Sequence, residues 1–440
     1  MVRPSSLHYL TSASPCNVLA LILAGGQGTR MQHLTRRCAK PAVPFGGRFR
    51  NIDFTLSNCV NSQIRRVGVL TQYQSQSVIQ HIHKGWNLFH SELGEFLELL
   101  PAQTGQGDNG YRGTADAVYQ NLALLRRHSP DYTLILAGDH IYTMDYREMI
   151  SHHLRRDADM TIACTQVPVQ EARSFGVMGV DEQWRIHSFQ EKPERPAALP
   201  GAGNQALVSM GIYLFNTDFL CDQLLLDAFD PTSGHDFGRD LIPKMIRDYQ
   251  ISAFPFRDRQ TGSPSYWRDI GTVESYWQAN MDLLGDQPDL DLYDRNWPIR
   301  TSQDQLPPAK FIAGTDGTQG IAIESMVSPG CIIRGAAVQR SLLFPDVEIQ
   351  EGSRVNASVI LPGAVIGRQC SLERVIVEQD CVIPDGTHIA PPSANVHVPG
   401  DLMGLQLKDY HPAHYYVSPN GVTLVTREMF AHEVPQLQYA

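Results

Sequence analysis

The sequence predicts a chain of two parts, a doubly wound α/β domain followed by a parallel β-helix. Two patterns support this prediction. From about residue 18 to residue 280, short apolar strands alternate with helical segments, which is typical of a doubly wound sheet. Beyond them, single aliphatic residues recur every five or six positions, so that the pattern repeats every 17 residues. The proline-rich, aperiodic segment 288–309 between the two parts is interpreted as a linker packed on the surface.

The first element is a buried strand that runs into a glycine-rich loop. The apolar run 18–23 has the length of a buried strand, and the loop GGQGTR follows at residues 25–30. Glycines allow backbone N–H groups to approach an anion closely, and Arg30 and Lys40 add positive charge. We therefore expect a cradle for a polyphosphate. The loop matches neither GxGxxG nor a Walker A motif, and an ordinary strand–loop turn is the alternative.

The next two elements are a helix, predicted from Leu56 to Ile64, and a strand, predicted from Arg66 to Leu70. Gln72 lies just past the end of that strand. Ligands of open α/β sheets bind beyond the carboxyl ends of the strands, so Gln72 is a candidate contact to a base or ribose. The alternative is an ordinary loop amide.

Two carboxylates are candidates for a divalent cation. Asp139 follows the buried strand 133–137 directly, and burying a carboxylate there without a partner would be unfavourable. Asp269 lies in the segment YWRDIGT that ends the first domain. Mg²⁺ favours one or two protein carboxylates together with phosphate oxygens and water, so the pair could hold it. A turn or helix-cap role is the alternative for each.

The C-terminal third has the rhythm of a three-sided parallel β-helix, in which each coil buries one aliphatic residue on each side. A sandwich of short strands would not be expected to keep this spacing. The last segment, 415–428, is predicted to be a hairpin around Asn420-Gly421. The periodic positions are Val338, Leu343, Ile349, Val355, Ile360, Ile366, Leu372, Val377, Ile383 and Ile389.

Composition excludes several classes of function. The 440 residues carry a net charge of −10, which argues against a nucleic-acid-binding surface. The eight cysteines form no CxxC pair, so we expect reduced thiols rather than a zinc site or a disulfide framework. No apolar run reaches the length of a membrane span, and none precedes the first strand. We therefore expect a cytoplasmic protein without a membrane partner.

Several motifs occur in an order that is similar to one enzyme family. They are GGQGTRMQHLTRRCAKPAVPFGG at 25–47, YRGTADAV at 111–118, LAGDHIY at 136–142, EKP at 191–193 and SMGIY at 209–213. Together they resemble the sugar-1-phosphate nucleotidyltransferases, and their spelling resembles the bacterial members that form ADP-glucose. The resemblance extends over about residues 18 to 429.

The resemblance implies a fold, an activity and an assembly. It implies an N-terminal tail (1–17), a Rossmann-like nucleotidyltransferase domain (18–287), a linker (288–325) and a left-handed hexapeptide-repeat β-helix domain (326–440). The implied reaction is transfer of AMP from ATP to α-D-glucose 1-phosphate, with Mg²⁺, for glycogen biosynthesis. A homotetramer is implied as well. Another sugar or nucleotide specificity, or a regulatory subunit of the same fold, remains the alternative. An acyltransferase is weakly supported, because the periodic segment offers only His388 as a base.

The family's functional residues transfer to matching positions of this sequence. The catalytic residues implied are Arg30, Lys40, Asp139 and Lys192, and the metal ligands are Asp139 and Asp269. For ATP, the implied contacts are Leu23, Gly25, Gly26, Gly28, Thr29, Gln72, Gly113 and Asp139. For glucose 1-phosphate, they are Tyr111, Gly176, Glu191, Lys192 and Ser209.

A basic pocket for small anionic allosteric effectors is also implied, between the opening loop and the C-terminal segment. This sequence has Cys38 and Pro44 where strongly activated relatives have basic residues, and Arg37 where they have lysine. Because a guanidinium prefers a different anion geometry from an ammonium, we expect altered effector preference and weak nucleotide inhibition. Arginines that are merely solvated are the alternative. The candidates are Arg36, Arg37, Arg50, Arg127, Arg374 and Arg427.

Overall fold

The structure is a computed structural model that describes residues 17–103, 110–258, 261–391, 411 and 414–430. The helices are α1 (Asn51–Asn61), α2 (Ser75–Gly85), α3 (Thr114–Tyr119), α4 (Leu122–His128), α5 (Tyr146–Arg156), α6 (Thr217–Ala228), α7 (Ile242–Asp248) and α8 (Val273–Met281). The strands of the first part are β1 (Val18–Ala24), β2 (Pro44–Phe45), β3 (Phe49–Arg50), β4 (Arg66–Thr71), β5 (Phe96–Pro101), β6 (Tyr132–Ala137), β7 (His140–Tyr142), β8 (Met160–Pro168), β9 (Gly176–Val180), β10 (Ile186–Glu191), β11 (Gln205–Asn216), β12 (Ile251–Pro255) and β13 (Trp267–Asp269).

The first part is built around β1, which is central in a mixed sheet of order β10-β9-β11-β6-β1-β4-β5, with β8 and β12 beyond β11. Alternate residues of β1 enter apolar clusters on opposite sides of the sheet, Ala20 and Ile22 in one and Leu19 and Leu21 in the other. Burial on both faces explains why the strand is a continuous apolar run. The doubly wound α/β prediction is therefore confirmed.

The register of the parallel strands brings three loops to one edge of the sheet. Leu23 of β1 pairs with Leu70 of β4 and with Ala137 of β6, so the three strands end at the same level. The segments that follow them begin the glycine-rich loop, carry Gln72 and carry Asp139. This edge is where ligands of open α/β sheets bind.

Helix α1 begins earlier than the sequence predicted, at Asn51 instead of Leu56. Its first turn has no apolar periodicity, but its polar side chains are buried and paired. Asp53 is fully buried, and its carboxylate accepts hydrogen bonds from His81 (2.6 Å) and Trp86 (2.9 Å). A buried carboxylate is tolerated when hydrogen bonds replace its hydration. Tertiary partners therefore decide where this helix begins.

The second part is a three-sided parallel β-helix, as predicted. Val338 pairs in register with Val355, Val355 with Leu372, and Leu372 with Ile389. All ten periodic aliphatic residues lie in one buried cluster. The strands are β14 (Lys310–Ile312), β15 (Ile321–Ile323), β16 (Met326–Val327), β17 (Ile332–Arg334), β18 (Ala337–Gln339), β19 (Leu342–Leu343), β20 (Glu348–Ile349), β21 (Arg354–Asn356), β22 (Val359–Ile360), β23 (Val365–Ile366), β24 (Ser371–Glu373), β25 (Val375–Val377), β26 (Val382–Ile383) and β27 (His388–Ile389).

The two ends of the β-helix differ from its regular coils. At the first coil, β14 lies inside the range 288–325 that the sequence assigned to the linker, and it pairs with β17 of the next coil. Its apolar residues Phe311, Ile321 and Ile323 are exposed, whereas Ala322 between the two isoleucines pairs with Val338 and packs against the core of the β-helix. At the other end, β28 (Tyr415–Val417) and β29 (Thr423–Val425) form the predicted antiparallel hairpin, and β29 extends the third sheet beside β25.

One face of the β-helix packs on the first part and forms a joint apolar core. The short strands β19, β22 and β25 carry consecutive aliphatic residues. In each pair one side chain fills the β-helix, such as Leu343, and its neighbour, such as Leu342, joins a cluster with Phe45 and Trp277. Trp277 of α8 donates its indole N–H to the carbonyl of Ala357 (2.8 Å). The guanidinium of Arg374 lies 4.3 Å from the centre of the same ring.

We predict that Trp277→Ala lowers the free energy of unfolding by about 3–5 kcal/mol, because it removes a buried aromatic side chain from the joint core. Urea unfolding followed by far-UV circular dichroism measures the change. Gln278→Ala, at an exposed position of the same helix, is the control and should stay within about 0.5 kcal/mol of the parent. Equal effects of the two substitutions would contradict a joint core at this position.

Candidate active site

A cleft of about 600 Å³ opens at the edge of the sheet where β1, β4 and β6 end, a size suited to small-molecule ligands. Most residues that the sequence predicted for the site line it. They are Leu23, Gly25, Gly26, Arg30, Lys40, Gln72, Tyr111, Gly113, Asp139, Gly176, Glu191, Lys192, Ser209 and Asp269. The structure thus brings together segments that are separated by up to 246 positions in the chain, from Leu23 to Asp269.

Lys40 lies between the two carboxylates that the sequence predicted as metal ligands. Its ammonium nitrogen is 2.6 Å from Oδ2 of Asp139 and 2.8 Å from Oδ1 of Asp269. Burial lowers the pKa of Lys40, but the two carboxylates outweigh burial and raise that pKa above its usual value. Burial likewise raises the pKa of Asp269, and the charge of Lys40 more than reverses this, so the net pKa is lowered. Lys40 and Asp269 are therefore both charged at neutral pH.

The backbone around Lys40 is anchored from behind. The side chain of Asn51, at the start of α1, is fully buried and donates a hydrogen bond to the carbonyl of Lys40 (2.9 Å). Arg50 donates to the carbonyl of Ala42 in the same 3₁₀ turn. These contacts keep the long lysine side chain directed into the cleft.

His140 is a cleft residue that the sequence reasoning missed. Its Nε2 lies 3.7 Å from Oδ1 of Asp139 and 3.9 Å from Oδ1 of Asp269. Its Nδ1 accepts a long hydrogen bond from the indole of Trp267 (3.4 Å), which leaves Nε2 as the protonated nitrogen of the neutral ring. Its position directly after Asp139 was the available signal.

On the opposite wall, Glu191 and Lys192 form an ion pair of 3.0 Å. Lys192 adopts a left-handed backbone conformation (φ 45°), and its side chain is 60% exposed. A Cβ atom at Gly176 would lie 3.0 Å from Oε2 of Glu191, and one at Gly238 would lie 2.5 Å from it. The two glycines therefore make room for this carboxylate. Asp236, Phe237 and Trp267 also line this part of the cleft and were not predicted.

Tyr111 and Gln72 have defined surroundings within the cleft. The hydroxyl of Tyr111 donates to the carbonyl of Leu100 (3.0 Å) and accepts from the side chain of Asn121 (3.0 Å). Its hydroxyl is therefore held by the protein, and its ring faces the cleft. A Cβ atom at Gly110 would lie 2.9 Å from the amide nitrogen of Gln72. Gln72 accordingly fits closely beside this glycine.

Gly28 and Thr29 are not among the cleft residues, although they were predicted to contact ATP. Gly28 has a left-handed conformation (φ 64°) and precedes a 3₁₀ helix that begins at Thr29. A Cβ atom there would lie 2.9 Å from a methyl carbon of Thr35 and 3.4 Å from the Cβ of Lys40. In the structure, this glycine allows the loop to fold against Lys40.

The six arginines predicted to bind effectors fall into separate places. Arg36 and Arg37 both pair with Glu428, at 2.6 and 3.4 Å. The guanidinium of Arg427 lies 3.7 Å from Asp380. Within the described ranges, Arg50 binds a backbone carbonyl of the opening segment, Arg374 stacks on a tryptophan of α8, and Arg127 pairs with Glu98 at the sheet edge.

The predicted basic pocket therefore contains acids as well. Glu428, Glu378 and Asp380 lie among Arg36, Arg37 and Arg427, and Glu378 accepts a hydrogen bond from the backbone N–H of Arg427 (2.9 Å). The sequence reasoning counted only the cations. Glu428 directly follows Arg427 in the chain, which was the available signal.

Three curated relatives are similar to this chain over nearly its whole length. The glucose-1-phosphate adenylyltransferase of Nitrosococcus oceani is 51% identical over 418 residues, 95% of this chain and 95% of that protein. The protein of the same name from Methylococcus capsulatus is 51% identical over 426 residues, 96% and 97% of the two chains. That of Nitrosomonas europaea is 52% identical over 424 residues, 95% and 94%. The chain belongs to the glucose-1-phosphate adenylyltransferase family.

The two parts of this family member also match separate family profiles. The nucleotidyl transferase family matches residues 19–286. The GlmU-like C-terminal hexapeptide family matches residues 307–425, which identifies the three-sided domain as a left-handed parallel β-helix. The domain boundaries expected from the sequence stay a prediction. None of the helices in the described ranges is long and apolar enough to cross a membrane.

We predict that Lys40→Met lowers the free energy of unfolding by about 3 kcal/mol, because two partly buried carboxylates lose the charge between them. Lys192→Met is the matched control in the same cleft. Its ion pair is largely exposed, so the loss should stay within about 1 kcal/mol. Urea unfolding at pH 7 without substrates measures both variants. If Lys40→Met were no less stable than Lys192→Met, the ion cluster would not hold these segments together.

Proposed function

We propose that this family member transfers AMP from ATP to α-D-glucose 1-phosphate, giving ADP-glucose and pyrophosphate for glycogen biosynthesis. The main support is that the chain is 51% identical, over nearly its whole length, to two proteins named glucose-1-phosphate adenylyltransferase. In addition, the cleft contains every cation and carboxylate that the reaction needs, namely Arg30, Lys40, Asp139, Lys192 and Asp269. A degenerate subunit of the same fold would be expected to lack one of these groups.

The reaction needs charge neutralisation more than proton transfer. A phosphate oxygen of glucose 1-phosphate is already ionised at neutral pH, and it forms a bond to the α-phosphorus of ATP. The bond from that phosphorus to the bridging oxygen of the β-phosphate breaks, and pyrophosphate leaves. Catalysis of such a step comes from placing the two phosphates in line and from cations beside the developing charge.

The residues present fit a divalent cation. Asp139 and Asp269 converge within 2.8 Å of a single nitrogen, which shows that both reach one point of the cleft. No cluster of three or more metal-binding side chains occurs in the part of the chain that the structure describes. This donor set suits Mg²⁺, which favours few carboxylates and takes its remaining ligands from phosphates and water. When bound, the ion supplies positive charge to the phosphate oxygens of the substrate.

The chain's own cations divide between the two ends of the cleft. Arg30, beside the glycine-rich loop, is proposed to bind the polyphosphate of ATP, and Lys40 is proposed to add positive charge beside Asp139 and Asp269. Lys192 stands on the opposite wall, where its exposed ammonium pairs with Glu191 and is proposed to bind the phosphate of the sugar. Glu191 and Ser209, on the same wall, are proposed to bind the sugar itself.

The decisive experiment measures pyrophosphate release with each nucleoside triphosphate crossed against several sugar 1-phosphates, with and without Mg²⁺. We expect turnover to require ATP, glucose 1-phosphate and Mg²⁺ together. Preference for another nucleotide or sugar would assign a different specificity to the same fold. Absence of turnover with every pair would favour a regulatory subunit.

We predict that Asp139→Asn reduces turnover at least about 100-fold, or about 2.7 kcal/mol in transition-state stabilisation, because it removes a metal-binding charge and keeps the shape. Asp145→Asn is the control, since Asp145 caps α5 outside the cleft and asparagine is also a good cap. Calorimetric titration with a non-hydrolysable ATP analogue should show that Asp139→Asn also weakens the Mg²⁺ dependence of nucleotide binding. Activity within tenfold of the parent would remove Asp139 from the metal site.

We further propose that small anionic effectors bind between the opening 3₁₀ segment and the C-terminal segment. The support is the convergence of Arg36 and Arg37 on one carboxylate of the C-terminal segment. Glu428 thus occupies the place where an anionic effector would pair with these arginines.

We also propose that the chain forms a homotetramer and that it is located in the cytoplasm. Exposed apolar residues on the first coil of the β-helix offer a surface for assembly, and the described cysteines are all free thiols.

We predict that Glu428→Gln lowers the half-saturating concentration of activating anions at least about threefold, because the arginines lose an internal competitor. Arg37→Ala should raise it. Steady-state rates across a panel of phosphorylated metabolites and inorganic phosphate measure both shifts, and Glu373→Gln, elsewhere on the β-helix, is the control. An unchanged response in Glu428→Gln and Arg37→Ala would place the effector site elsewhere.

A further inference from the structure

A short segment, Ser233–Asp236, joins the two walls of the cleft from outside. It lies between α6 and a π-helical turn, Phe237–Leu241, and it packs against the first turn of α3. The carbonyl of His235 accepts the backbone N–H groups of Ala115 (2.9 Å) and Asp116 (3.3 Å). A carbonyl from a distant segment thereby satisfies two of the N–H groups that a helix start leaves unpaired.

The same junction contains a second set of hydrogen bonds. The hydroxyl of Thr114 donates to the carboxylate of Asp236 (3.0 Å) and accepts from the backbone N–H of Phe237 (3.0 Å). Asp236 and Phe237 line the cleft near Glu191, on the wall proposed for glucose 1-phosphate, whereas Gly113, which was predicted to contact ATP, comes from the segment just before α3. The contact therefore connects the two sides directly.

His235 holds this segment in an unusual backbone conformation. Its φ is 57°, in the left-handed region that side chains other than glycine rarely adopt. Its Nδ1 lies 2.7 Å from Oδ2 of Asp227, and the hydroxyl of Ser233 donates to the other oxygen of that carboxylate (2.5 Å). The ring is 7% exposed and does not face the cleft. Such strain persists only where surrounding contacts over-determine it.

Gly113 reveals how closely the two segments approach. A Cβ atom at this position would lie 2.2 Å from the carbonyl oxygen of His235 and 2.6 Å from that of Gly234. The backbone of Gly113 is extended (φ −164°), so its conformation alone does not require glycine. The sequence analysis gave Gly113 as a contact to ATP, and the structure shows that the close approach of His235 also requires glycine here.

We propose that His235 is a positioning residue that fixes the glucose 1-phosphate wall of the cleft to the nucleotide wall. The proposal rests on the proposed function for the identity of the two substrates. The imidazole, bonded to Asp227, keeps the left-handed turn in place. That turn directs the carbonyl into the first turn of α3, and the side chains of Asp236 and Phe237 follow into the cleft. In-line attack depends on such alignment, and small displacements of a bound group reduce rates strongly.

The test compares His235→Ala with His235→Asn and with His153→Ala. Asparagine tolerates the left-handed conformation and retains an N–H donor for Asp227, so it should restore much of the function. His153 is an equally buried histidine with two polar partners, Thr161 (2.8 Å) and Asn216 (3.2 Å), and it lies outside the cleft. It therefore controls for the loss of a buried histidine.

The first readout is hydrogen–deuterium exchange of the parent and the variants without substrate. His235→Ala should speed exchange at least about tenfold in peptides that contain the amides of Ala115 and Asp116. His153→Ala should leave those peptides unchanged. If protection of these amides survives in His235→Ala, the proposal is overturned, whatever reaction the protein catalyses.

The second readout is steady-state kinetics. His235→Ala should raise the KM of both ATP and glucose 1-phosphate, or lower kcat/KM for both, by at least about tenfold, and His235→Asn should recover most of the loss. An effect on one substrate alone would overturn the proposal. An equal effect in His153→Ala would do so as well.

Two situations need a separate experiment or interpretation: a His235→Ala variant that does not fold, and a parent protein without turnover. If His235→Ala does not fold, Ser233→Ala removes one support of the same carboxylate without adding backbone strain, and the same two readouts apply to it. If the parent shows no turnover with these substrates, the proposed function fails while the exchange experiment still decides the proposal.

Discussion

Three segments of the chain meet at one lysine. Lys40 comes from the turn after the glycine-rich loop, Asp139 from the end of β6 and Asp269 from the end of β13. The two carboxylates repel each other, so they can lie this close only with a cation between them. The arrangement therefore requires that all three segments be folded at the same time. It is consistent with the hydrogen bond that the buried side chain of Asn51 donates to the backbone carbonyl of Lys40.

The β-helix contributes to this arrangement through packing. Helix α8 begins soon after Asp269, and its Trp277 lies in an apolar cluster with the third sheet of the β-helix. A coil of the second part thus supports the strand end that carries a cleft carboxylate. The pairing of Arg36 and Arg37 with Glu428 adds a second connection, from the opening segment to the end of the chain. The two parts depend on each other for the geometry of the cleft.

The β-helix and the central sheet could be predicted because each rests on a local periodic pattern. Every position from Val338 to Ile389 in the 17-residue pattern is buried as expected, since a coil can bury only one side chain at each of those steps. The start of α1 could not be predicted, because burial of Asp53 depends on His81 in α2 and on Trp86 just after that helix. Consecutive aliphatic residues such as Leu342-Leu343 were a readable sign of a sheet covered on both sides.

For the site, motifs predicted which residues line the cleft but not how they pair. The motifs do not show which cation meets which acid from a distant segment, whereas the fold places Lys40 between two acids and Glu428 between two arginines. Nothing in the sequence marks His235 as a positioning residue, because the proposed role depends on its left-handed backbone conformation and on Gly113, which lies 122 positions earlier. Such pairings arise from contacts between distant segments, which spacing alone does not encode.

The covered face of the β-helix limits how copies of the chain can meet. A triangular prism has three sides and two ends, and here one side is sealed against the first part by Leu342, Val359 and Ile376. The hairpin β28–β29 extends the sheet of that side by two strands beyond β25. A neighbouring subunit that contacts the prism must therefore use one of the other two sides or an end. Adding whole coils at an end of the β-helix would therefore lengthen the domain without changing either its contact with the first part or the cleft.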